Sequence, residues 1–210
     1  TLKRWADDAV DQGLALESGT RDIIRERLLR AWRYEGNLEL DFADLPVSSL
    51  PVLDATLGHL TVLKMGGMNL QELPASFLGA FTGVTDIRMP FNSLREVPES
   101  LAGCRYLSKL DLSNNEIASG EHVFAALRGL RDLEELDLSG NALHTLSVGA
   151  AQDLVGLTSL RRLSLKENYL ALSAESLGTI AGLPLQELDL SHNLIILDEV
   201  GAAAFGAARD

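Results

Sequence analysis

Glu134 and Glu135 stand side by side, four histidines (His59, His122, His144 and His192) are scattered along the chain, and there is one cysteine, Cys104. Adjacent carboxylates can divide acid and base roles, imidazoles can move protons or hold metals, and a thiolate is a nucleophile. Their placement argues against all three. The histidines fall far apart and at different points of the pattern described below, so no metal or cofactor site is expected. Glu134 and Glu135 flank core leucines, as a solvated face does. Cys104 stands three residues before a pattern start, where other copies carry Leu57, Phe81, Leu130 and Leu157. That place suits a small apolar side chain. No GxxxxGK(S/T) loop, HExxH, paired CxxC or EF-hand loop is present. The chain is read as non-enzymatic, with no catalytic residue.

The side chains that could bind, rather than react, belong to a repeat. LSKLDLSNNEI begins at Leu107, and the spacing LxxLxLxxNxL returns as VTDIRMPFNSL from Val84, LEELDLSGNAL from Leu133, LRRLSLKENYL from Leu160 and LQELDLSHNLI from Leu185. Looser copies are LTVLKMGGMNL from Leu60 and EGNLELDFADL from Glu35. The starts 35, 60, 84, 107, 133, 160 and 185 are separated by 23 to 27 residues. Seven copies at this period are the signature of a leucine-rich repeat solenoid, in the α/β class: a curved parallel sheet inside and short helices outside. Places four and six alternate with polar neighbours, so they face the core of a short strand. Place nine begins an inward turn whose backbone groups need partners. Asn92, Asn115, Asn141, Asn168 and Asn193 can supply both donor and acceptor there, as a ladder between coils. The first two copies carry Met68 and Ala43 instead, so that end of the ladder should be weaker. After each strand turn comes a stretch such as Gly120–Leu130 or Ser173–Leu183, with apolar residues at threes, which predicts a short convex helix.

Places two, three, five, seven and eight are expected on the concave side, without packing duty. Place five runs Glu39, Lys64, Arg88, Asp111, Asp137, Ser164, Asp189, and place eight includes Phe42, Phe91 and His192. Basic spots (Lys64, Arg88; then Arg161, Arg162, Lys166) flank an acidic band (Asp111, Glu134, Glu135, Asp137), with Phe91 beside the first. The candidate protein-binding residues are therefore Lys64, Arg88, Phe91, Asp111, Glu135, Asp137, Arg162 and Lys166. Arginine and aromatic side chains are favoured interface anchors.

The 210 residues carry a net charge of −12. Residues 1–34 hold seven basic and six acidic side chains; residues 35–210 hold eleven and twenty-four. So acidic a surface repels phosphate backbones, which argues against nucleic acid and for a basic protein, and the concave sheet takes a protein or peptide partner by default. No apolar run is long enough to span a membrane. One cysteine excludes an intrachain disulfide. Residues 1–34 read as a helical N-terminal cap, with Ile24, Leu28, Ala31 and Trp32 on one face and arginines opposite, preceded by Leu2, Trp5, Ala9 and Val10. The alternative is a docking helix with a basic face. Residues 35–210 read as the solenoid. Thr1 and the segment after Leu197 suggest a piece cut from a longer protein, with self-association through the C-terminal end as an artefact of the cut.

Residues Gly36–Phe81, with the double Leu-Pro of LPVSSLP (Leu45–Pro51), resemble the first repeats of secreted effectors of Gram-negative bacteria, of the novel E3 ligase (NEL) type. The later Leu73–Pro74 and Val97–Pro98 echo that proline. The resemblance implies export into a host cell and repeats that recognise a host protein for a downstream ubiquitin ligase domain, which they can also hold inactive. The ligase cysteine of that family lies in CxD. Cys104 is followed by Arg105 and Tyr106, so no catalytic role carries over. The alternative is a free-standing scaffold or signalling protein with no attached enzyme.

Overall fold

The computed structural model describes residues 2, 5–7, 15–34, 36 and 38–194. The expected segments at Ala9–Val10 and 195–210 lie outside them. Seven three-residue strands form one parallel sheet in chain order: β1 (Glu39–Asp41), β2 (Val62–Lys64), β3 (Asp86–Arg88), β4 (Lys109–Asp111), β5 (Glu135–Asp137), β7 (Arg162–Ser164) and β9 (Glu187–Asp189). Two short strands, β6 (Thr145–Leu146) and β8 (Ala171–Leu172), pair separately. The architecture is an α/β leucine-rich repeat solenoid.

The register runs straight across the large sheet. Leu40, Leu63, Ile87, Leu110, Leu136, Leu163 and Leu188 align as place four. Place six follows as Phe42, Met65, Met89, Leu112, Leu138 and Leu165, all buried. This register corrects the first copy by two residues. Leu38 does not hold place four and is 55% exposed, whereas Phe42 is a core side chain and not a concave one. Asp41 takes place five there, Asp44 place eight and Leu45 place nine, in the places read for Glu39, Phe42 and Ala43.

Before the sheet comes α1 (Ala15–Arg33). It buries Ile24, Leu28 and Ala31, but Trp32 is 59% exposed. Nor do all its arginines face away from the core. Arg21 is buried: one Nη donates to the Trp5 carbonyl at 2.9 Å, the other to Glu17 at 3.2 Å and the Ser48 hydroxyl at 3.2 Å. Glu17 in turn accepts the Ser48 backbone N–H at 3.0 Å. A buried guanidinium needs such partners, so they fix the helix on the first coil. Arg27 donates to the Asp41 carbonyl, on the first strand of the sheet. An edge strand otherwise presents unpaired backbone groups.

Repeat length decides the convex element. The first four strands are spaced by 23, 24 and 23 residues, the later ones by 26, 27 and 25. In the shorter coils the expected helices are reduced. No helix joins β1 to β2, where Pro46 and Pro51 remove backbone donors. After Pro74 comes only α2 (Ala75–Gly79), and after Pro98 a 3-10 turn (Glu99–Gly103). The longer coils carry eight-residue helices: α3 (Gly120–Leu127), α4 (Val148–Val155) and α5 (Ala174–Ala181). A helix rises about 1.5 Å per residue against about 3.3 Å in extended chain, so spanning the same distance takes more residues. Ser119, Ser147 and Ser173 start these helices, each hydroxyl oxygen accepting the N–H three residues on.

At the inward turn, every asparagine of the ladder makes the same bonds. Asn141 Nδ2 donates to the Leu112 carbonyl of the preceding coil and to Leu138 of its own, both at 3.0 Å. Its Oδ1 accepts the Ile117 N–H of the preceding coil at 3.0 Å. Asn92, Asn115, Asn168 and Asn193 reach back likewise to Met65 and Leu70, Met89 and Leu94, Leu138 and Leu143, and Leu165 and Leu170. Buried Met68 replaces the asparagine in the second coil, and its backbone carbonyl takes the Val47 N–H at 3.0 Å instead. That bond satisfies the donor but leaves the first coil without an amide rung. Asn141→Ala should lower unfolding free energy by about 1–3 kcal/mol, through buried backbone groups left unpaired. Asn193→Ala, at a more exposed rung, should cost less. Urea denaturation of the two variants measures both.

Candidate functional site

The concave face is the sheet surface made by places three and five, with the turn residues of places seven and eight along its rim. A shallow trough of about 480 Å³ runs over β3 to β9. Arg88, Asp111, Glu135, Asp137 and Arg162 line it together, whereas Lys64, Phe91 and Lys166 lie outside it.

The cations of this face are not separate basic spots. Lys64 Nζ pairs with Glu39 at 2.7 Å across β1 and β2. Arg88 grips Asp86 of its own strand, with Nη2 at 2.6 Å and Nε at 3.0 Å. Lys109 and Arg162 both bond Glu135, which lies between them on the middle of three adjacent strands; the lysine contact is 2.8 Å. Lys166 pairs with Glu167 at 3.2 Å. Arg161 turns its guanidinium to the Leu160 carbonyl at 3.1 Å. Opposite charges set across strands are the sheet's ordinary stabilising pairs.

Place five also has a duty that the pattern did not announce. The carboxylates of Asp111, Asp137 and Asp189 each accept the N–H of the serine two residues on, at 2.9 Å, and Asp41 does the same for Ala43 at 2.8 Å. These bonds close the turn leaving the strand. Each aspartate is thereby tied to its turn, and Asp111, Asp137 and Asp189 line the trough. The LDLS spelling of three copies carries this signal, since Asp and Ser recur together at places five and seven.

Place eight is left-handed in all seven coils. Asp44, Gly67, Phe91, Asn114, Gly140, Glu167 and His192 have φ between 53° and 67°. Glycine, asparagine and aspartate accept this conformation readily; a bulky aromatic does not. Phe91 is nevertheless there, 66% exposed, giving nothing to the core. Three of the four histidines sit on different elements: His122 opens α3, His144 stacks on Tyr169 with ring centroids 5.4 Å apart, and His192 holds its turn.

Electrostatics fix the chemistry available. The bond from Lys109, and then that from Arg162, hold Glu135 below the usual carboxylate range, so it stays ionised and is poorly suited to be a general acid. The Ser191 hydroxyl and N–H lower Asp189 likewise. Asp86 raises Arg88 further. Burial pushes the Cys104 thiol up to about 11, away from a reactive thiolate. The arrangement recognises charge and shape.

Because Glu135 has a lower pKa folded than unfolded, its pairs contribute fully above the unfolded value and are lost as pH falls through the folded one. Unfolding midpoints from pH 7 to about pH 3 should therefore fall more steeply for the wild type than for Glu135→Gln. Parallel curves would remove the ion pairs from the account. Cys104 should react slowly with an aromatic disulfide at about pH 8 while folded and fast in denaturant.

The sequence pattern of the Leucine Rich repeat family matches residues 103–120. No curated protein matches the sequence. Among solved structures, an internalin (inlF) from Listeria monocytogenes is similar, at 23% identity over 71% of this chain and 40% of that one, with a TM-score of 0.57. A leucine-rich repeat protein of Leptospira interrogans is similar over 76% and 44%, at 23% identity and a TM-score of 0.55. A chain of the Toll–Spatzle complex of Drosophila is similar over 72% and 21%, at 28% identity and a TM-score of 0.61. The chain thus spans less than half the length of these relatives. Among the described residues, no helix is long and apolar enough to cross a membrane.

Proposed function

We propose that the chain is a protein-recognition module whose target lies across the concave sheet. The observation that carries this reading is Phe91. A bulky aromatic in a left-handed turn costs about 1–2 kcal/mol against glycine, yet two coils of this chain use glycine at the same place. An exposed side chain kept at that cost, on the rim of the concave sheet, suits an interface anchor. One of the similar structures is itself a complex of a protein with another, Toll with Spatzle. In this reading residues 1–34 form an N-terminal cap, residues 35–210 form the recognition solenoid, and Lys64, Arg88, Asp111, Glu135, Asp137, Arg162 and Lys166 set charge complementarity around Phe91.

A finer reading makes this solenoid the recognition arm of a secreted bacterial effector, acting on a host protein for a ubiquitin ligase domain in the same polypeptide. Its support is the resemblance of residues 36–81. Ubiquitin conjugates formed by the full-length gene product with activating and conjugating enzymes would support it. No conjugates from a folded full-length product would leave the interaction module alone.

Phe91→Gly separates binding from folding. It should leave stability unchanged or raise it by about 0.5–1 kcal/mol, as relief of the left-handed strain outweighs glycine's added chain entropy. It should also weaken capture of a target identified with the wild-type chain. Capture that is equal for both proteins, measured by biolayer interferometry, would remove the concave rim from the interface.

A further inference from the structure

The charges of the concave trough do not cancel. Six carboxylates and three cations line it. Each cation already touches an acid: Arg88 holds Asp86, while Lys109 and Arg162 share Glu135. Among the described residues, Asp111, Asp137, Glu187 and Asp189 make no direct ion pair, and Arg88 and Lys166 act on Asp111 and Asp189 only from further off. Asp111 and Asp137 are register partners on β4 and β5; Asp189 follows beyond Ser164, and Glu187 stands in register with Arg162 without an ion pair. Strands about 4.8 Å apart spread these acids along the sheet instead of gathering them. Among the described residues, no three acidic, imidazole or thiol side chains converge to hold a metal ion.

That distribution selects the occupant. A neutral ligand covering the trough would strip water from four carboxylates and return only neutral N–H or O–H donors, and an acidic one would add repulsion. Nucleic acid would be repelled. An extended segment bearing arginine or lysine would give each carboxylate a charge-assisted hydrogen bond, and arginine's fork suits the fixed carboxylates best. Phe91, exposed on the turn that leaves β3, can take a cation or an apolar side chain of the same segment against its ring. We infer that the trough takes a basic polypeptide segment, laid across β4 to β9 with one side chain on Phe91. This rests on the concave face being the binding surface, as proposed above.

The substitutions Asp111→Asn and Asp137→Asn together remove two charges and keep the oxygen that accepts the turn N–H. Glu121→Gln with Glu175→Gln removes the same charge from the exposed convex helices. Peptides from a random display library are selected on the wild-type chain, and synthetic copies of the enriched ones are titrated against all variants. The inference expects enrichment of arginine and lysine, affinity lowered about tenfold or more by D111N/D137N, and no change with E121Q/E175Q. Equal weakening by both pairs overturns it, because the overall charge of −12 would then explain binding. Enriched neutral or acidic peptides that lose affinity on Phe91→Gly overturn the basic partner and leave the binding face standing. Peptides indifferent to every concave substitution, or no enriched peptide, overturn the inference, the first of these along with the face.

Discussion

Every coil must turn its backbone inward after a three-residue strand, and the polar groups of that turn must be paired where water does not reach. The asparagine amide solves this with one side chain. Its donors hold the carbonyls at place six of two successive coils, and its oxygen holds an N–H of the coil before. Because each rung joins neighbours, the solution also fixes how far apart the coils stack. The straight register from β2 to β9 follows from that repetition, and so does a core of place-four and place-six leucines and methionines in file.

A fixed turn leaves the other places little freedom. Place eight must be left-handed to bring the chain around, and place five is drawn into closing the turn wherever it is aspartate. The recognition surface is therefore assembled from side chains whose backbones are already held, with its cations paired and acids in excess. Rigid acids and paired cations present one charge pattern to a partner, instead of a set of mobile side chains. Ordering such a face on binding costs little further entropy.

The repeat, the concave sheet and the amide ladder could be read from spacing, since LxxLxLxxNxL states both the period-two core and the turn. The first coil could not be placed as surely. Leu38 and Leu40 both satisfy alternation, and with no asparagine after them nothing distinguishes a two-residue slip. Convex helices were overextended to the early coils because apolar spacing alone does not count the residues a helix requires; the shorter repeats and their prolines did. On the concave face, Lys64, Arg88 and Arg162 looked like free cations because their partners lie on a neighbouring strand or on the same sheet face two residues away. Phe91 was legible as an exposed aromatic, but its left-handed backbone was not, since Gly67 and Gly140 mark the conformation only when the coils are laid side by side. Trp32 followed the apolar face of its helix in sequence and points to solvent in space.

The central claim is that the amide ladder carries the cohesion of the coils. Amide hydrogen exchange resolved by residue tests it most directly. The N–H groups of Leu94, Ile117 and Leu143, each held by an asparagine of the next coil, should exchange only through global unfolding. The Val47 N–H, held by a backbone carbonyl at the end without an amide rung, should open earlier. If Leu94, Ile117 and Leu143 exchange as fast as exposed turn amides, while the strands stay protected, the turns are secondary and the stacking must come from the leucines alone.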